Sequence, residues 1–225
     1  MKKKVVLLVC LLISAALGGG FCEVSIATKA IDRSKILSAD IPTPAADLSG
    51  LALTLQDLPA GFTEMPPATI KNIVSGIPKN CKPASVFSYY KNDDQQFQVV
   101  AGFTWQLPNR LDLAKFDAEI REGSFAQQLS QSLNSSSNKE FQFANLTALT
   151  LEDKIGEVSA GWTTQGKIKG VPMNVEFALF RRGKILSFMV IAYLDGTKPT
   201  ITISDAARKL DSRMMALKPN LTQPQ

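Results

Sequence analysis

Histidine is missing from all 225 residues of the chain. With no imidazole there is no Ser-His-Asp or Cys-His pair, no general base titrating near neutrality and no histidine metal ligand, which excludes most hydrolase mechanisms and most zinc sites. Cysteine is scarce as well, with three residues, too few for a disulfide scaffold. The chain also lacks a Gly-x-Ser-x-Gly elbow, a phosphate-binding glycine loop and the alternating acids of a calcium loop. Chemistry is left to carboxylates, lysines, tyrosines and serine–lysine arrangements. The expectation is a protein that is not an enzyme and takes no cofactor and no metal.

What is present begins with Lys2, Lys3 and Lys4, then an apolar run over residues 5–17, then Gly18-Gly19-Gly20. A basic start, an apolar stretch and a small-residue exit are the layout of an export signal. Residues 5–21 reach only the lower limit of the roughly 17–25 needed to span a hydrocarbon core, and no charged flank follows, which favours cleavage near Gly20 over a retained anchor. A third route is lipidation at Cys22, but bulky Phe21 stands where lipoprotein sites carry a small residue. The expected location is the periplasm or cell envelope, with membrane contact only through an N-terminal segment left uncleaved or lipidated.

Three of the 25 Lys and Arg belong to the signal, leaving a net charge of +2 on the rest. These charges are interspersed, so no basic face suggests nucleic acid as a partner. About two hundred residues suffice for one core that buries roughly 70% of the unfolded surface. With Cys10 in the signal, Cys22 and Cys81 remain, either as two unrelated thiols or, in an oxidising compartment, as a disulfide. The expected organisation is a signal at 1–20, a flexible leader at 21–50, a single α+β domain at 51–217 and a disordered tail at 218–225.

Within the domain, residues 51–55 alternate apolar and small or polar side chains, as a strand would. In Asp57-Leu58-Pro59-Ala60-Gly61-Phe62, Pro59 and Gly61 predict a turn, and Asp57, Pro59, Gly61 and Phe62 form the candidate functional loop, with a packing turn as the competing reading. Pro66-Pro67 opens a short helix to about residue 74. Strands follow at 84–90 and 96–106, the second placing Phe97, Val99, Ala101, Phe103 and Trp105 on one face at period two, the pattern of a half-buried strand. Lys91-Asn92-Asp93-Asp94 reads as the hairpin turn between them; a calcium site there would need more oxygen donors.

Two helices are expected next, 111–122 with the stripe Leu113, Phe116, Ile120, and another from Ser124 with Phe125, Leu129 and Leu133. After one further strand comes an antiparallel meander: 155–168 with Val158, Ala160 and Trp162 on one face, 171–179, and a nearly continuous apolar central strand at 184–194. Lys169-Gly170 and Arg182-Gly183 are its turns. Arg181-Arg182 reads either as a docking patch for an acidic partner or as a hairpin tip kept soluble by charge. Trp105 and Trp162 read as core. A helix capped by Thr202 with Asp205 then buries Ala206, Leu210, Met214 and Leu217. The fold class is α+β, an antiparallel β-sheet with helices packed on its faces.

The phrase at residues 57–62, Phe180-Arg181-Arg182-Gly183-Lys184-Ile185 and Ala206-Ala207-Arg208-Lys209-Leu210-Asp211 together resemble small exported bacterial proteins and lipoproteins of the Mog1/PsbP-like fold group. The resemblance spans most of residues 51–217 and departs from the lipoprotein members at Cys22. It implies an α/β/α sandwich and a non-enzymatic accessory or binding role outside the cytoplasmic membrane. The expected partner is another envelope protein or a small ligand. The alternatives are a membrane-anchored lipoprotein and a hydrolase built on carboxylates or a Ser/Lys pair.

Overall fold

The structure, a computed structural model, describes residues 50–76, 83–93, 96–107, 112–135, 141–152 and 154–217. The expected signal, tail, Cys22–Cys81 pair and Asp94, and the leader up to residue 49, lie outside the described residues.

Among the described residues eight strands belong to one antiparallel sheet: β1 (Phe62–Glu64), β2 (Ser85–Asn92), β3 (Phe97–Gln106), β4 (Phe141–Phe143), β5 (Thr147–Leu149), β6 (Val158–Ile168), β7 (Val171–Arg182) and β8 (Ile185–Leu194). The order is β1-β2-β3-β8-β7-β6-β4, with β5 also on β6. Two meanders, β1-β2-β3 and β6-β7-β8, meet along β3 and β8, where Val99 pairs with Ala192 and Phe103 with Phe188. The apolar β8 therefore lies at the centre, as its nearly continuous hydrophobic sequence, broken by the buried Ser187, predicts. At the β6–β7 turn, Lys169 (φ 52°) and Gly170 (φ 79°) both take the left-handed conformation that matches a two-residue turn to the twist of its strands.

Among the described residues four helices pack on this sheet: α1 (Pro67–Gly76), α2 (Leu113–Arg121), α3 (Ser124–Ser135) and α4 (Ile203–Leu217). One face holds the odd-numbered side chains of β3 and β7, from Phe97 to Trp105 and from Met173 to Leu179, under Phe116 and Ile120 of α2 and Phe125, Leu129 and Leu133 of α3. The other face holds Val100, Ala178, Phe180, Met189 and Ile191 under Ala206, Ala207, Leu210 and Met214 of α4. The result is the expected α/β/α layering. Asp112 caps α2, its Oδ1 accepting from the Ala114 and Lys115 amides at 3.1 and 3.2 Å, and Phe116 meets Phe125 edge-on at 5.5 Å across the α2–α3 corner. Thr202 caps α4 through the Asp205 amide at 3.1 Å, and its hydroxyl donates to the Asp205 carboxylate at 2.7 Å.

Several sequence expectations change. Residues 51–55 form no strand: Leu51 and Leu53 are fully buried, but the backbone there pairs with side chains rather than with a ladder, and residues Leu55–Asp57 form a short 3-10 turn. Strand β3 is buried on both faces, because α4 and the segment at residue 51 cover the side assumed to face water. The single strand expected before the meander is two short ones, β4 and β5, that pair with separate stretches of β6. The β7–β8 turn lies one residue later, at Gly183 and Lys184.

Candidate functional site

Strand periodicity sends neighbouring side chains to opposite faces, so Arg181 and Arg182 at the end of β7 part company. Arg181 grips Asp117 of α2 with both ends of its fork, Nε to Oδ1 at 2.7 Å and Nη2 to Oδ2 at 2.6 Å. Its Nη1 donates to Glu157 Oε2 at 2.8 Å and to the Gly183 carbonyl at 2.6 Å. Arg182 makes the same bidentate grip on Asp211 of α4, at 2.5 and 2.6 Å, and Asp211 also accepts from the Gly156 amide at 3.1 Å. The hydrogen bonds to Asp117 and to Asp211 raise the two guanidinium pKa values, and burial opposes them. Arg181 is only 4% exposed. The pair is neither a solvated tip nor a docking patch, because helices cover both sheet faces there and each charge needs a carboxylate.

The candidate loop turns inward at its two ends, Asp57 and Phe62, and its tip stays exposed. Asp57 Oδ2 accepts from the Thr54 amide at 2.7 Å, the Thr54 hydroxyl at 2.9 Å and Arg213 Nη2 at 2.5 Å. Burial pushes the Asp57 carboxyl up, but those hydrogen bonds and the Arg213 charge outweigh it and hold the carboxyl below its usual range. Lys209 Nζ donates to the Asp57 carbonyl at 2.6 Å. Pro59 and Gly61 are exposed at the turn, with Gly61 at φ 96°, while Phe62 is buried. Just upstream, the Leu51 carbonyl accepts from Ser85 and from Thr104, Ala52 from Arg213 Nη1 at 2.9 Å, and Leu53 from the Tyr89 hydroxyl at 2.7 Å. Residues 51–57 form a strap tied across the second face to α4.

The other candidates form no common site. Trp105 and Trp162 are buried in the first core, Trp105 stacked on Phe103 at 4.9 Å. Asp93 closes the β2–β3 hairpin by accepting from the Gln96 amide at 2.7 Å. The sequence reading overlooked a Ser-x-x-Lys spacing at Ser88 and Lys91, but on β2 residues three apart point to opposite faces, so they form no nucleophile–base pair. Among the described residues no cluster of three or more acids or cysteines could hold a metal ion, and no helix is long and apolar enough to cross a membrane.

Sequence reasoning passed over one concave feature, a groove of about 360 Å³ between α3 and the connection from β4 to β5. Ala126, Gln127, Ser130, Gln131, Asn145 and Leu146 line it. Gln127, Ser130 and Gln131 stand on one helix face at i, i+3, i+4, opposite the buried stripe of Phe125, Leu129 and Leu133. Among the described residues no ionisable side chain lines the groove, and the scarcity of charge from residue 124 to 151, where only Lys139 and Glu140 are charged, was the available signal.

No family model matches the chain, and no curated protein matches it. A solved structure that does match is the crystal structure of LpqN, involved in cell envelope biogenesis of Mycobacterium tuberculosis. It is 15% identical, the match covers 69% of this chain and 78% of that one, and the TM-score is 0.35. A likeness at that level transfers neither a site nor an activity. The Mog1/PsbP-like resemblance stays one of short phrases and element order.

Proposed function

We propose that the chain is an exported, envelope-located accessory protein that acts by binding rather than by catalysis. The observation that carries this reading is the use made of its inward-facing ionisable groups. Arg181 and Arg182 are each bound to a carboxylate that ties a helix to the sheet, and Arg213 to one that ties the strap to α4. A catalytic acid or base must be reachable and must change protonation as it works, whereas these charges are locked into the scaffold. Among the described residues the scaffold also leaves a shallow groove open to solvent, and a concave surface suits recognition. Export rests on the lysine-led apolar start and the glycine exit.

Two measurements test this. Mass spectrometry of the protein recovered from the cell envelope should show loss of the first twenty or so residues; an intact Met1 would mean a retained anchor, and an acylated Cys22 a lipoprotein. A pull-down from envelope extracts should retain a specific component, and a broad hydrolase screen against a boiled control should give no turnover. Turnover abolished by changing one carboxylate, serine or lysine would replace the binding reading with the enzyme alternative.

A further inference from the structure

We infer that the groove between α3 and the β4–β5 connection is the binding site, and that its ligand is neutral and rich in hydroxyl groups, a glycan segment. This rests on the binding reading above and goes further by naming the site and the chemistry. The first observation is the lining. Gln127, Gln131 and Asn145 each present an amide that both donates and accepts, Ser130 adds a hydroxyl that does the same, and Ala126 and Leu146 supply an apolar floor. A ligand rich in hydroxyls suits this mixture, because each hydroxyl also donates and accepts, while ring and linkage oxygens accept from the same amides. A phosphate or carboxylate would need cations, and an ammonium group would need carboxylates.

The second observation is independent of the cavity. One residue in five of this chain is charged, yet residues 124–138 and 141–151 contain no Asp, Glu, Lys or Arg. Solvent-facing helix surfaces ordinarily alternate charges for solubility, and Gln127, Gln131, Asn134 and Ser135 of α3 are exposed and uncharged. Lys139 and Glu140 stand between the two runs in the sequence, and the fold brings Ala126, Gln127, Ser130 and Gln131 of the first together with Asn145 and Leu146 of the second to line the groove. A protein partner fits less well: hot spots at such interfaces are enriched in Trp, Tyr and Arg, and the aromatic residues of α3 and β4 turn inward, Phe125 and Phe141 being buried and Phe143 packed against the core.

The test uses the full-length protein and soluble neutral oligosaccharides of one to about six units, with different linkages, followed by hydrogen exchange and titration calorimetry. Saturable binding is expected, with slowed amide exchange confined to residues 124–135 and 141–151. Gln131→Ala with Asn145→Ala should weaken binding at least tenfold with an unchanged melting temperature, since both side chains are exposed. A Ser130→Glu variant provides a second reading. Affinity should be the same at about 0.05 and 0.5 M salt, because no ion pair contributes. Absence of protection with every saccharide, protection elsewhere, or salt-labile binding would overturn the assignment, as would concentration-dependent protection of the same segments by a second copy of the chain. An envelope component retained equally by the native protein and the double variant would also overturn it while leaving the broader binding reading intact.

Discussion

Arg181 and Arg182 are consecutive in the chain and hold helices on opposite sides of the sheet, Arg181 through Asp117 of α2 and Arg182 through Asp211 of α4. One dipeptide thus fixes the position of both outer layers relative to β7. The side chains of Arg181 and Asp211 are each 5% exposed. For pairs at that depth the net contribution of the interaction is small, but leaving one partner alone is costly.

Asp117→Ala should therefore destabilise the protein by about 3–5 kcal/mol, by stranding most of the Arg181 charge beside Glu157 alone. The double variant Asp117→Leu with Arg181→Met should recover much of that loss. Denaturant midpoints of the two single variants and the double variant provide the check, and strictly additive losses would refute the coupling.

Leu210 of α4 and Phe177 of β7 sit in the two separate cores, at 0% and 2% exposure. Replacing either by alanine should cost about 2–5 kcal/mol, from lost burial and the cavity left behind. The sites share no partners across the sheet, so the two losses should add to within about 0.5 kcal/mol. Urea titrations measure both quantities.

Asp57 and Asp205 have carboxyl pKa values below the usual range in the folded state, Asp57 through the hydrogen bonds described above and Asp205 first through Thr202, then Arg208. A carboxyl depressed on folding contributes stability that is fully present above its unfolded pKa, near 4, and is lost as pH falls through the lower folded value. Stability should accordingly fall with acid from about pH 5 downward. An Asp57→Asn variant should be less stable than the native chain at neutral pH, and the gap should narrow as pH falls. A gap constant with pH in chemical denaturation would show that the charge at Asp57 has no part in it.

Gly102 lies in β3 where an added methyl group would sit 2.6 Å from both the Phe188 carbonyl oxygen and the Phe87 ring. The backbone oxygen cannot yield as a flexible side chain would. Gly102→Ala should cost about 1–3 kcal/mol by overpacking, while alanine at Gly50, which has open space around it, should be nearly neutral. Melting temperatures distinguish the two.

Periodicity made most of the fold legible. The stripes Leu113–Phe116–Ile120 and Ala206–Leu210–Met214 and the alternation from Val171 to Leu179 each name a buried face, because burial selects side chains at the repeat of the element. Alternation failed at Leu51 and Leu53, since it reports which side chains are buried and not whether the backbone pairs with another strand. Charge failed at Arg181-Arg182 for a related reason: two adjacent arginines look like surface until Asp117 and Asp211, 64 and 29 residues away, are brought to them. The groove was invisible because its walls come from two segments whose shared property is lack of charge, a feature with no period.

The seam between β3 and β8 has a consequence for timing. Val99 meets Ala192 there, so the pairing that unites the two meanders closes across most of the domain, and contacts of such separation form slowly. Until residue 194 has been delivered, β3 and β7 each present an open edge to nothing. A chain that must cross a membrane unfolded, as the proposed export requires, is helped by this arrangement: the strand that completes its sheet is among the last to arrive, and folding waits for the far side.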